Sequence, residues 1–252
     1  MEVTPLRHIR RKPGALPFRK IIPNMITCGN ILSGILSLVL TLQGHYQPAA
    51  WLIVAAVFFD AMDGKVARSL GGSSEFGVEL DSLADVVSFG AAPALLFYAV
   101  YLWGWLGIGG ALAAAFFGVC GALRLARFNV CHVPGPFQGL PIPGGGLFLA
   151  SLVMGRISLP PLLASLLVLG TGVLMVSSIP YGNLKRLRGG NVNRVKIGFM
   201  FAFTFTLIAT LQAKAPLAAM CIYIVSGFLR FDWRKWLAID PSELEEKVEH
   251  EA

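Results

Sequence analysis

Four aspartates, Asp60, Asp63, Asp81 and Asp85, stand in two pairs within otherwise apolar sequence. The first pair is spaced i,i+3 and the second i,i+4, so on helices each pair occupies one face. Ionisable groups inside membrane-spanning sequence are costly and mark functional sites. A short turn rich in glycine and serine (Gly71, Gly72, Ser73, Ser74) separates the pairs. Two helices joined there run antiparallel and bring both pairs to one level. Carboxylates gathered in that way repel one another. Two divalent cations relieve the repulsion, and all-oxygen ligation suits Mg²⁺ or Mn²⁺. Two ions about 3.5–4 Å apart stabilise both the attacking and the leaving oxygen of a displacement at phosphorus. The neighbours fit phosphate chemistry. Gly64 and Ala67 leave room beside the carboxylates, Arg68 follows one turn after Gly64, and Gly77 thins the start of the next helix. An arginine there can hold a phosphate through paired hydrogen bonds. Close helix packing is the structural alternative for the glycines.

The elements that position these residues must lie in lipid. Of 252 residues, 55% are hydrophobic and 14% charged, with a mean hydropathy of +0.67. A soluble domain carries about 25% charged residues, and this chain has too few polar groups to cover a water-facing surface. A transmembrane helix needs about 20 mostly apolar residues. Spans are expected near 25–42, 48–69, 80–102, 106–127, 141–156, 160–179, 196–212 and 215–230. The fold class is therefore an all-α integral membrane protein of about eight transmembrane helices. The fifth span is short and glycine-rich (Gly144, Gly145, Gly146), so six or seven spans is the alternative.

Charge gives the orientation, because cytoplasmic loops concentrate Lys and Arg. With both termini cytoplasmic, all of the 21 Lys and Arg except Arg156 and Lys214 fall on the inner side. That distribution accounts for the net charge of +7 without nucleic acid as a partner. Residues 1–22 form a basic cytoplasmic arm, lying on anionic headgroups or disordered. Residues 23–231 form the membrane domain, and 232–252 a polar cytoplasmic tail. Cys28, Cys120, Cys131 and Cys221 are widely spaced and suggest neither a disulfide framework nor a zinc site.

Read in full, Asp60-Ala-Met-Asp63-Gly64-Lys-Val-Ala67-Arg68, then Gly77, Asp81 and Asp85, resembles the signature of the CDP-alcohol phosphatidyltransferase family, with all eight fixed positions at the family's spacing. Further segments look like its phosphatidylserine synthase branch: Ile22 to Gly34, Leu80 to Pro93, Ala122 to Asn129, Phe137 to Pro143 and Ser178-Ile-Pro-Tyr181. The resemblance covers about residues 20 to 181, and the last two spans add little to it.

This resemblance implies a metal-dependent transferase of phospholipid biosynthesis in the cell's inner membrane, its site facing the cytoplasm. The substrates implied are CDP-diacylglycerol and L-serine, the products phosphatidylserine and CMP, and the assembly a homodimer among membrane lipids. Asp60, Asp63, Asp81 and Asp85 are implied to hold two divalent cations, Mg²⁺ or Mn²⁺. Asp85 is the candidate general base. Asn24, Thr27, Gly64, Ala67, Arg68, Ser74 and Gly77 are candidates for the CDP-lipid site. Arg124 and Arg127 are candidates for the serine carboxylate, with membrane anchoring as their other reading. Asn129 is a candidate for serine binding or for capping its helix. A sibling enzyme with another acceptor (glycerol 3-phosphate or inositol phosphate), or with an ether-lipid donor, shares the signature. A cation transporter is the alternative from another class. The aspartates cluster at one edge of the membrane instead of its midplane, which argues against it.

Overall fold

In the computed structural model of the chain, which describes residues 18–72, 74–105, 107–130, 137–181 and 210–229, the backbone is helical apart from turns and one two-strand ladder. The first helix, α1 (Phe18–Leu42), shows how the chain meets its solvent. Its buried positions include Thr27, Asn30, Ser33, Ser37 and Thr41, while Met25, Leu32, Ile35, Leu36 and Val39 are exposed. Steps of three and four keep the polar residues on one stripe. This inverted amphipathicity suits hydrocarbon, where apolar side chains face outward and every polar group must be satisfied internally. The hydroxyls oblige. Ser33 donates to the Gly29 carbonyl at 2.8 Å, Thr41 to Ser37 at 2.8 Å, and Ser37 to Ala49 of the next helix at 2.9 Å.

That next helix, α2 (Tyr46–Ser69), packs along α1 and buries Ala49, Ala50, Ile53 and Ala56 completely. Small residues let two backbones approach closely in a membrane. The third helix, α3, runs unbroken from Glu75 to Leu102 over 28 residues. It begins five residues before the expected position 80. The Ser74 hydroxyl accepts a 3.0 Å hydrogen bond from the Gly77 amide and satisfies an end donor, so a cap and not hydropathy sets the start. Within α3 the turns at Val86–Ala91 and Tyr98–Leu102 are widened to π geometry. Pro93 accounts for the first of these. It has no N–H, and its ring crowds the carbonyl four residues back, at Phe89, so the ladder shifts register there.

After α4 (Ile108–Val130) come β1 (Phe137–Gln138), α5 (Ile142–Met154), α6 (Pro161–Val176) and β2 (Pro180–Tyr181). A 3₁₀ turn, Gln212–Lys214, leads into α7 (Ala215–Phe228). The antiparallel ladder sets Phe137 against Tyr181. α5 is the short central helix, buried along most of its length. Its three glycines explain how it fits. Gly144 packs near Tyr223 of α7, Gly145 near Phe117 of α4 and Met175 of α6, and Gly146 against the Phe89 backbone of α3.

Among the described residues, three helices are long and apolar enough to cross a membrane: Ile21–Leu42, Glu75–Leu102 and Ile108–Val130. Ile142–Met154 and Pro161–Val176 are shorter apolar helices. α2 has the length, at 24 residues, but Asp60 and Asp63 interrupt its apolar run. The arm before Phe18, the basic stretch 185–196, most of the expected span 196–212 and the tail 232–252 lie outside the described residues.

Candidate active site

The turn between α2 and α3 is tight because two residues adopt left-handed backbone: Gly71 at φ +101° and Gly72 at φ +109°. Only glycine does this without strain. The Gly72 amide closes the end of α2 by donating to the Ala67 carbonyl at 2.9 Å. The chain thus reverses within a few residues, and the aspartates of α2 and α3 return to one level. α1 packs along both of these helices and bridges them.

Asp60, Asp63 and Asp81 each present a carboxylate oxygen, and the three oxygens lie within 4.8 Å of one another. Asp63 is 5% exposed, and the other two are half-buried. α1 contributes directly to this cluster. Thr27 Oγ1 lies 2.8 Å from Asp63 Oδ2 and 3.1 Å from the Pro23 carbonyl. Its single proton goes best to the charged acceptor, the stronger of the two. Asp85 stands one turn beyond Asp81 on α3, buried, and is not one of the three clustered residues.

A cleft opens beside the cluster. Asn24 and Thr27 of α1, Gly64 and Ala67 of α2, and Ser74 and Gly77 before and within α3 line it, together with Asp63 and Asp81. Six of the seven residues expected at the CDP-lipid site therefore share one surface. The seventh, Arg68, folds back over the glycine one turn before it: a Cβ on Gly64 would lie 3.3 Å from Arg68 Nη1. Gly77 is a real constriction, since a Cβ there would come 2.9 Å from Asn24 Oδ1 and 3.2 Å from Ser74 Oγ. Ser74 thus has two duties, capping α3 and lining the cleft.

The three residues expected near serine separate. Arg124 is buried on α4 and lies within electrostatic range of Asp85. Arg127 is exposed on the same helix. Asn129 Nδ2 donates to Ser82 Oγ at 2.9 Å, tying the end of α4 to α3. The aspartate pattern did not single out two tyrosines: Tyr223 of α7, within electrostatic range of Arg124, and Tyr181 of β2, which packs its ring against Tyr223. Only the Ser178–Tyr181 segment offered a hint. Tyr223 is one apolar-helix residue among many and carries no spacing signal. Asn30 was also missed. It is fully buried beneath Thr27, and its carbonyl accepts from the Ser88 hydroxyl at 2.9 Å.

The donor set around the cluster is hard oxygen throughout, and three carboxylates this close carry charge that divalent cations neutralise. The residues fit Mg²⁺ or Mn²⁺. With divalent cations bound, an acidic cluster beside a cleft lined by small residues, and an arginine folded over one of them, would be suited to binding a diphosphate.

Comparison with known proteins agrees. The family described as CDP-alcohol phosphatidyltransferase matches residues 20–229. A Helicobacter pylori protein named CDP-diacylglycerol–serine O-phosphatidyltransferase is 34% identical over 84% of this chain and 91% of that protein. Proteins of the same name from Methanocaldococcus jannaschii and Bacillus subtilis are 36% and 38% identical. These alignments cover 84% and 68% of this chain, and 96% and 95% of the relatives.

Proposed function

The chain belongs to the CDP-alcohol phosphatidyltransferase family, and from that premise we propose that it transfers a phosphatidyl group from CDP-diacylglycerol to L-serine, giving phosphatidylserine and CMP. The observation that carries the reading is the meeting of Asp60, Asp63 and Asp81 within 4.8 Å beside a cleft lined by the rest of the signature. The serine assignment is supported by the names of relatives that align along most of their length.

Asp60, Asp63 and Asp81, with Asp85 as a further ligand, are the residues that would hold two divalent cations. When bound, such ions supply positive charge to the diphosphate and to departing CMP. The remaining work falls to the chain. The floor at Gly64 and Ala67 admits the nucleotide diphosphate, Asn24 and Thr27 flank it, and Arg68 covers it. Asp85 accepts the proton of the serine hydroxyl as that oxygen bonds to the phosphorus carrying diacylglycerol. The bond from that phosphorus to the bridging oxygen breaks, and CMP leaves with the electron pair. An ordinary Asp has a pKa of about 3.9 and is a weak base, so the proton transfers late, once the new bond has acidified the hydroxyl.

Around this site the proposal includes eight crossings of the inner membrane, both termini cytoplasmic and the aspartates on the cytoplasmic side. The placement of basic residues supports it. Labelling of single cysteines placed at Lys65 and at Arg156 from either side of the membrane reads the orientation. The homodimer implied by the family resemblance belongs to the same proposal, and the mass of the detergent-solubilised protein tests it. For the activity, the purified protein is given CDP-diacylglycerol, Mn²⁺ or Mg²⁺, and labelled serine. Metal-dependent CMP release with label entering lipid is the expected result. CMP release only with glycerol 3-phosphate or inositol phosphate would move the acceptor. No CMP release from folded protein with any acceptor would overturn the reading.

A further inference from the structure

A chain of groups that neither the cleft nor the carboxylate cluster uses leads from Asp85 through Arg124. Arg124 is within electrostatic range of Asp85 and also of Tyr223. The Tyr223 ring lies against that of Tyr181, with centroids 5.4 Å apart and planes inclined by 40°. Tyr181 is 1% exposed, and its hydroxyl has no hydrogen-bond partner among the described residues. A buried hydroxyl left without a partner is costly. The fold nonetheless holds it firmly. The β1–β2 ladder pins its backbone opposite Phe137. Gly227 of α7 lies so close under the ring that any side chain there would collide with it.

The chemistry of this corner is asymmetric. A guanidinium offers donors only, and a phenol hydroxyl readily donates, so the two together suit a carboxylate. Asp85, also within electrostatic range of Arg124, repels a carboxylate but accepts protons from a hydroxyl or an ammonium. Together these groups match the chemistry of a small molecule with a hydroxyl and an ammonium at one end and a carboxylate at the other. We propose that the Tyr181 hydroxyl donates a hydrogen bond to the carboxylate of the acceptor alongside Arg124, and that Tyr223 is a positioning residue that holds the Tyr181 ring beside that guanidinium. The assignment rests on the serine reading above and adds the element that selects a hydroxy amino acid over a plain alcohol. It also gives a role to the Ser178–Tyr181 segment.

Tyr181→Phe tests it, because it removes one oxygen and keeps the ring. Initial rates are measured with CDP-diacylglycerol and either serine or serinol, which lacks the carboxylate. A melting curve checks that the variant is folded. Expected is a rise in the KM for serine of roughly tenfold or more, the effect of losing a hydrogen bond to a charged group. The kcat and the KM for CDP-diacylglycerol stay near those of the parent, the pattern for loss of uniform binding. The preference for serine over serinol shrinks by the same factor. An unchanged KM and an unchanged preference would overturn the assignment while leaving serine as the acceptor. So would a loss that falls equally on both acceptors and on CDP-diacylglycerol, which would mark Tyr181 as structural. A parent protein that uses another alcohol and not serine would instead overturn the serine reading itself.

Discussion

The Thr27 hydroxyl on α1 and the Asp63 carboxylate on α2 lie 2.8 Å apart although 36 residues separate them. The bond makes α1 part of the acidic cluster and not only a wall of the cleft. A hydroxyl that donates to a carboxylate fixes its rotamer and leaves its other oxygen for a cation, as outer-shell partners do in metal sites. Thr27→Val keeps the shape and removes the donor. The expected outcome is a rise of roughly 10- to 100-fold in the Mn²⁺ concentration that half-saturates activity. Thr27→Ser retains most of the affinity, and saturating metal restores most of the rate to the valine variant. A metal titration of activity decides it, and equal titration curves for parent and Val variant would show that the bond does not serve the cations.

The separation of Asp85 from the three clustered carboxylates leads to a second expectation. Chelation with EDTA abolishes activity, and Mn²⁺ or Mg²⁺ restores it. Asn in place of Asp60, Asp63 or Asp81 weakens metal affinity by more than about 100-fold, beyond the range of an outer-shell loss. Asp85→Asn lowers kcat by about 10²–10⁴-fold, the size of a general-base contribution, with a smaller change in metal affinity. The check is metal titration read beside kcat for all four variants. A metal-affinity loss for Asp85→Asn as large as for the others would make it chiefly a ligand.

Helix approach at α5 can be tested without touching the site. A Cβ at Gly146 would lie 2.7 Å from the Phe89 carbonyl oxygen and 3.0 Å from its Cα, both backbone atoms that cannot turn aside. Gly146→Ala is expected to destabilise the protein by about 1–3 kcal/mol, the usual cost of overpacking. Gly118 and Gly170 are helical glycines where such a Cβ would meet no atom within 4 Å among the described residues beyond its own helix backbone. Alanine there is expected to be neutral or to stabilise by up to about 1 kcal/mol through helix propensity. Thermal unfolding in detergent reads all three, and equal melting of the Gly146 and Gly118 variants would contradict the packing argument.

Much of this site was legible in the sequence because its information is local. Spacings of three and four place Asp60 with Asp63, and Asp81 with Asp85, on single helical faces, and the Gly71–Gly72 turn folds one pair back to the level of the other. The six cleft residues shared by the sequence signature and the structure all sit close to that turn or on the opening of α1. Hydropathy likewise marked the helices, since a lipid-facing segment must be apolar whatever it packs against.

Tertiary structure decided the rest, for reasons that spacing does not carry. The start of α3 followed a cap at Ser74, a hydrogen bond that outweighs the hydropathy of residues 75–79. Arg124 and Arg127 are three residues apart and chemically alike, yet packing against α3 buries one near Asp85 and leaves the other exposed. Thr27 reaches Asp63, Gly146 reaches Phe89, and Tyr181 reaches Tyr223 only because separate elements of the chain pack side by side. By itself the sequence determined the chemistry, a pair of carboxylate pairs in a lipid-facing helical chain. Which further residues join that chemistry depended on contacts across the bundle, because those arise from the packing of whole helices and not from the order of neighbouring residues.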